Sequence, residues 1–199
     1  MEMSMDKIKE LREKTGAGVM NCKAALKEGG GDIDKAIEHL RKKGQEKAAK
    51  ITHRKAAEGL VHTYVHPGDR IGVIVEVNSE TDFVARTDEF VELVHAVALQ
   101  IAATKPLAVS REDLDPAVVE REKEIYKALA LEEGRPEKVI DKIIEGKLDK
   151  FVQESCLLDQ EYIKDPDRKI GDLVKEFAGK VGENVVVRRF TRYELGQES

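Results

Sequence analysis

Tryptophan is absent from this 199-residue chain, and cysteine nearly so, with only Cys22 and Cys156. The two thiols stand far apart and without a metal-ligand spacing. A disulfide framework or a structural zinc site therefore has little support, and both are expected to be ordinary reduced side chains. No apolar run approaches the ~18 residues that a membrane span needs. The first residues, Met1 to Asp6, have neither the basic flank nor the apolar stretch of a secretory signal. A cytoplasmic location without a membrane partner is the default expectation. An overall basic field is missing too: the net charge is -5 and the pI is near 5.7. That balance argues against nucleic acid as the main partner and suits a protein partner.

What is present is a helix-rich composition, 41% hydrophobic and 37% charged, in a chain long enough for one or two small domains. Residues 6 to 43 read as three short helices. Ile8 and Leu11 mark the first, Val19 to Leu26 the second, and Ile33, Ala36, Ile37 and Leu40 the third, at the i, i+3, i+4, i+7 spacing of one buried stripe. Thr15-Gly16-Ala17-Gly18 and Gly29-Gly30-Gly31 break them, and Asp32 suits an N-cap. Between residues 41 and 55, seven bases stand against one acid, Glu46. With no aromatic interleaved to stack on bases, the stretch reads as a solvated helical linker, with an RNA or ribosome contact as the competing reading.

From Gly59 the period changes. Residues 60–66 and 70–77 are β-branched runs joined by Pro67-Gly68-Asp69, a hairpin signal. A helical stripe follows at Phe90, Val91, Val94, Val97, Ala98 and Ile101, stopping at Lys105-Pro106. Further helices are expected over roughly 116 to 133, 136 to 155 and 169 to 181, punctuated by Gly134, Gly146 and a turn at Asp165-Pro166-Asp167. Residues 185–193 form a final strand. A lone hairpin is marginal in water, so this strand is expected to complete a three-stranded antiparallel sheet with helices over one face, an α+β fold.

The segment Thr81-Asp82-Phe83 admits two readings. In an unbroken helix from Asp82, Phe83 lies seven residues before Phe90 and shares its buried stripe. If Thr87 or Asp88 instead caps a new helix, residues 79 to 86 project as a turn with Phe83 exposed. Elsewhere the chemistry is sparse. Thr15-Gly16-Ala17-Gly18 lacks the following Gly-Lys-Ser/Thr of a phosphate loop, so no direct nucleotide binding is expected. His62 and His66, on one strand face, stand too far apart for one metal. No Ser/His/Asp or Cys/His arrangement is legible, and no cofactor is implied.

Glu76-Val77-Asn78-Ser79-Glu80-Thr81-Asp82-Phe83-Val84-Ala85-Arg86 resembles the core signature of bacterial elongation factor Ts. Leu11-Arg12-Glu13-Lys14-Thr15-Gly16-Ala17-Gly18, followed by Lys23-Ala24-Ala25-Leu26, resembles that family's N-terminal signature. Ile101-Ala102-Ala103-Thr104-Lys105-Pro106, Gly134-Arg135-Pro136, Glu145-Gly146-Lys147 and Leu158-Asp159-Gln160 continue the match in family order. Val19 and Gln100 depart from the Met and His that relatives often carry.

The resemblance implies a ubiquitin-associated-like three-helix domain over residues 1–43, a basic helical linker over 44–58, and an α+β core and dimerisation domain over 59–199. It implies guanine-nucleotide exchange on elongation factor Tu without covalent chemistry, Asp82-Phe83 after Thr81 inserting near the partner's Mg²⁺ and phosphate site. Arg12, Val19, Met20 and Lys23 would form the second contact. Longer relatives carry two related core halves; a homodimer is expected to build the second half here. Two rival classes remain: a non-catalytic adaptor whose three-helix domain binds a ribosomal or ubiquitin-like partner, and a metal-dependent hydrolase using His62 and His66.

Overall fold

The N-terminal periodicity becomes three helices, α1 (Met5–Thr15), α2 (Val19–Glu28) and α3 (Ile33–Ala49). The computed structural model describes residues 5–197; Met1 to Ser4, within the stretch read for a secretory signal, lie outside the described residues, as do the last two. Ile8, Leu11, Cys22, Ala25, Leu26 and Ala36 bury one small core, flanked by the partly buried Ile33, Ile37 and Leu40. Asp32 caps α3, its carboxylate accepting from the Lys35 N–H at 3.0 Å. The helix continues well past the Ile33 to Leu40 stripe, because its second half has a surface of its own to cover, and Ala48 is buried in the main core.

The main core is built on β1 (Glu58–Val65), β2 (Ile71–Ser79) and β5 (Val186–Glu194). They form the expected antiparallel sheet in the order β1-β2-β5. The hairpin closes at Pro67-Gly68-Asp69, where Gly68 and Asp69 take positive φ of 95° and 55° and His66 N–H donates to Ile71 O at 2.9 Å. Alternation then sorts the side chains. Val73, Val75 and Val77 face inward and are buried, against α5 (Asp88–Thr104) and α8 (Ile170–Val181). Within α5 the buried stripe is Phe90, Leu93, Val94, Val97, Ala98, Ile101 and Ala102. Val91, expected on that stripe, is 40% exposed, since the sheet lies under the Phe90–Val94 edge of the helix.

Helices α6 (Pro116–Glu132) and α7 (Glu137–Ser155) form a hairpin with a core of its own around Ala130, Ile140 and Ile144. Cys156, at its base, is buried, and burial pushes its thiol up to about 11.

The turn expected at Asp165-Pro166-Asp167 is a strand. β4 (Asp165–Lys169) pairs with β3 (Glu161–Tyr162), and the reversal falls at Ile163 and Lys164. Glu161 pairs with Lys169 and Tyr162 with Asp165, with a register shift between them. Pro166 sits inside that irregularity, where no ladder N–H is required of it.

α3 crosses α8 at a point where glycine meets glycine. A methyl group added to Gly179 would collide with the carbonyl of Gly44, so the two backbones approach as closely as side-chain-free positions allow. Two glycine substitutions therefore separate tight packing from helix propensity. Gly179→Ala is expected to lose about 1–3 kcal/mol by overpacking. Gly146→Ala, in α7 with open space around it, is expected to gain about 0.5–1 kcal/mol. Urea denaturation midpoints moving in the same direction for both would contradict the assigned packing.

Candidate functional site

The site begins where β2 stops. Ser79, fully buried, turns its hydroxyl to donate to the Thr81 carbonyl at 2.9 Å. Thr81 is extended, with φ -125° and ψ 153°, and its side chain accepts from the Val84 N–H at 3.4 Å, capping the four-residue helix α4 (Asp82–Ala85). Thr87 is extended in turn and caps α5, accepting from the Phe90 N–H at 3.3 Å while its hydroxyl donates to Val84 O at 2.8 Å. Two threonine caps six residues apart thus cut what would otherwise be one helix into two.

The break decides the fate of the two phenylalanines. Phe90 is fully buried and Phe83 is 84% exposed. Of the α4 residues, Ala85 is buried and Val84 packs on the core margin. The remaining apolar member points its ring outward. Asp82 sits in the first helical position, where a carboxylate suits the positive helix end, and meets the Arg86 guanidinium at 2.9 Å. An exposed aromatic with an acid beside it, on a short rigid element, is suited to pressing into a partner's surface.

The four residues expected on the N-terminal helices also lie on the surface. Arg12 is exposed at the end of α1, and Lys23 on α2. Val19 is 46% and Met20 77% exposed. Met20 lies outside the three-helix core, since positions Cys22, Ala25 and Leu26 take the inward stripe of α2.

Other candidates go elsewhere. His62 and His66 do not converge: His62 Nε2 lies 3.4 Å from His95 Nδ1, while His66 Nδ1 lies 3.0 Å from the Tyr64 hydroxyl. Burial, then the neighbouring His95, lowers the His62 pKa. Among the described residues no group of three or more His, Cys, Asp and Glu is placed to hold a metal ion. In the basic stretch, Arg41 turns toward Glu176 at 3.9 Å and Arg54 toward Glu80 at 3.6 Å.

Gln100, read in sequence only as a departure from the His that relatives often carry, has a structural role. Fully buried, it donates to Gln160 Oε1 at 3.1 Å and Glu161 O at 3.0 Å, and accepts from the Ile163 N–H at 3.0 Å. It thus ties α5 to the β3–β4 hairpin. No helix of the described chain is long and apolar enough to cross a membrane.

Comparison with known proteins identifies the family. The family model described as elongation factor TS matches residues 1–197. Elongation factor Ts of Moorella thermoacetica is 58% identical over 190 residues, covering 96% of this chain and 94% of that protein. Elongation factor Ts of Alkaliphilus oremlandii is 57% identical over 197 residues, 99% of this chain and 91% of that protein. That of Syntrophobacter fumaroxidans is 50% identical over 198 residues, 100% of this chain and 99% of that protein. With a family match across nearly every residue and relatives more than half identical over almost the full length, the chain belongs to the elongation factor Ts family.

Proposed function

We propose that this protein is a cytoplasmic guanine-nucleotide exchange factor for elongation factor Tu, acting without covalent chemistry. The observation that carries the reading is Phe83, 84% exposed on a helix capped at its start and cut off from the next. The ring meets the partner's GTPase domain beside its Mg²⁺ and phosphate site, with Asp82 as its acidic neighbour. Exchange is accelerated by differential binding: the factor grips the nucleotide-poor conformation more tightly than the GDP-bound one. Reciprocity follows, so nucleotide weakens the factor's grip by the same factor.

One ring is not enough. A thousandfold acceleration needs about 4 kcal/mol of barrier lowering, whereas burying a phenylalanine supplies about 1.5–3 kcal/mol. The remainder is assigned to a wider interface that includes Arg12, Val19, Met20 and Lys23 on the ubiquitin-associated-like N-terminal unit. The factor works as a homodimer. Support for this comes from the outer sheet face, where Val61 is 70%, Val65 58%, Ile74 46% and Tyr193 69% exposed. A second copy would bury that face and supply the second core half.

Release of labelled GDP from elongation factor Tu tests the wedge. Phe83→Ala is expected to slow stimulated release about 10- to 100-fold, the equivalent of the burial lost, and Asp82→Ala to slow it less. A Phe83→Ala protein as fast as the parent would remove the assignment. For the dimer, sedimentation at micromolar concentration is expected to give twice the chain mass and Ile74→Glu to give the monomer; a monomeric parent would refute it.

A further inference from the structure

The Phe83 ring itself is exposed, and the short helix that carries it is anchored to the core through Ala85 and Val84; the residue that caps this helix is gripped in addition from a distant part of the chain. Glu183, half-buried, lies in the loop between α8 and β5. Its carboxylate accepts from Thr81 twice: from the backbone N–H at 3.0 Å through Oε2, and from the hydroxyl at 2.7 Å through Oε1. The residue gripped is the N-cap of α4. With its proton directed to Glu183, the Thr81 oxygen leaves a lone pair for the Val84 N–H.

The neighbouring residues repeat the grip. The Asn184 N–H donates to Glu80 Oε1 at 2.6 Å. The Asn184 side chain, in a buried residue, donates to the carbonyls of Thr52 at 3.1 Å and Arg54 at 2.7 Å, beyond the end of α3. Arg54 returns to Glu80 at 3.6 Å. The wedge base, the loop after α8 and the chain leaving α3 are thus one connected polar network. Charge-assisted bonds are about twice as strong as neutral ones, and a carboxylate taking two donors from one residue fixes direction as well as position.

We propose that Glu183 is a positioning residue for nucleotide exchange: its two-point grip on Thr81 presets the direction in which α4 presents Phe83 to the partner. Without the grip, the α4 turn samples other orientations, and the ordering entropy is charged to the insertion step. The inference rests on the wedge reading of Phe83 and adds to it a residue that need not touch the partner.

The test uses the full chain with elongation factor Tu carrying labelled GDP, with four variants: Glu183→Ala, Glu183→Gln, Phe83→Ala and the Glu183→Ala/Phe83→Ala double. Glu183→Ala is expected to lower the maximal stimulated release rate about 3- to 10-fold. Glu183→Gln is expected to recover most of that rate, because its amide can accept from the Thr81 N–H and donate to the Thr81 oxygen. The double variant is expected to match Phe83→Ala alone, since a residue that acts through the ring has nothing left to position. In the free protein, hydrogen exchange over residues 80–86 is expected to speed up in Glu183→Ala and to stay near parental in Glu183→Gln, with α5 unchanged. If Phe83→Ala slows release and Glu183→Ala does not, or if the two losses multiply, the positioning role is overturned while the wedge stands. If Phe83→Ala itself leaves release unchanged, both fall.

Discussion

Burial of the Val73-Val75-Val77 face of β2 beneath α5 is the contact on which the rest of this molecule depends. It joins the sheet to the helix through Phe90, Val94, Val97 and Ile101, all fully buried. Phe90 also meets Phe177 of α8, with ring centroids 5.8 Å apart. Phe90 is committed to the core at the first turn of α5, and a helix continued backward from it would turn Phe83 toward the same buried face. Thr87 interrupts that helix by capping, and the segment before it carries Phe83 into solvent. The interior packing of one aromatic and the exposure of the other are therefore separated by a single cap, Thr87.

The same core brings remote segments to the base of the projection. α8 packs on both α5 and α3, and the loop that follows it delivers Glu183 and Asn184 to Thr81 and Glu80. The three-helix unit is thus connected to the segment carrying Phe83 by the long α3, the glycine contact between Gly44 and Gly179, and the polar network around Asn184. An exchange factor needs its contact regions held in fixed relation, because binding energy gathered at one is useful at the other only if the frame between them does not yield. Only part of that frame is apolar; the segment nearest Phe83 is held by the packing of Ala85 and Val84 and by the hydrogen bonds of Thr81 to Glu183.

Much of the fold was legible in sequence. The stripe Phe90, Val94, Val97, Ala98, Ile101 and the two β-branched runs around Pro67-Gly68-Asp69 carry periods of 3.6 and 2, and periodicity reports the buried face directly. The β3–β4 hairpin was not legible, since a two-residue strand has no period and Asp165-Pro166-Asp167 has turn chemistry. Val91 was misplaced because a stripe's edge depends on which way the helix rolls on its sheet. The family signature pointed to Thr81-Asp82-Phe83 and to Arg12, Val19, Met20 and Lys23, where Phe83 and the last four are exposed, yet residue physics alone left Phe83 between core and solvent.

The sequence by itself determined the main helices, the three-stranded sheet, their order and the family, because these follow from local pattern and from motifs contiguous in the chain; the β3–β4 hairpin and the α4 break do not. Tertiary structure decided the partners of residues 102 to 130 positions apart: Thr81 with Glu183, and Asn184 with Glu80 and Arg54. It also decided that Gln100 serves the interior and that His62 faces His95 instead of His66. The reason is physical. A hydrogen bond between side chains leaves no periodic trace, and its donor and acceptor meet only after helices and sheet have closed around a common core.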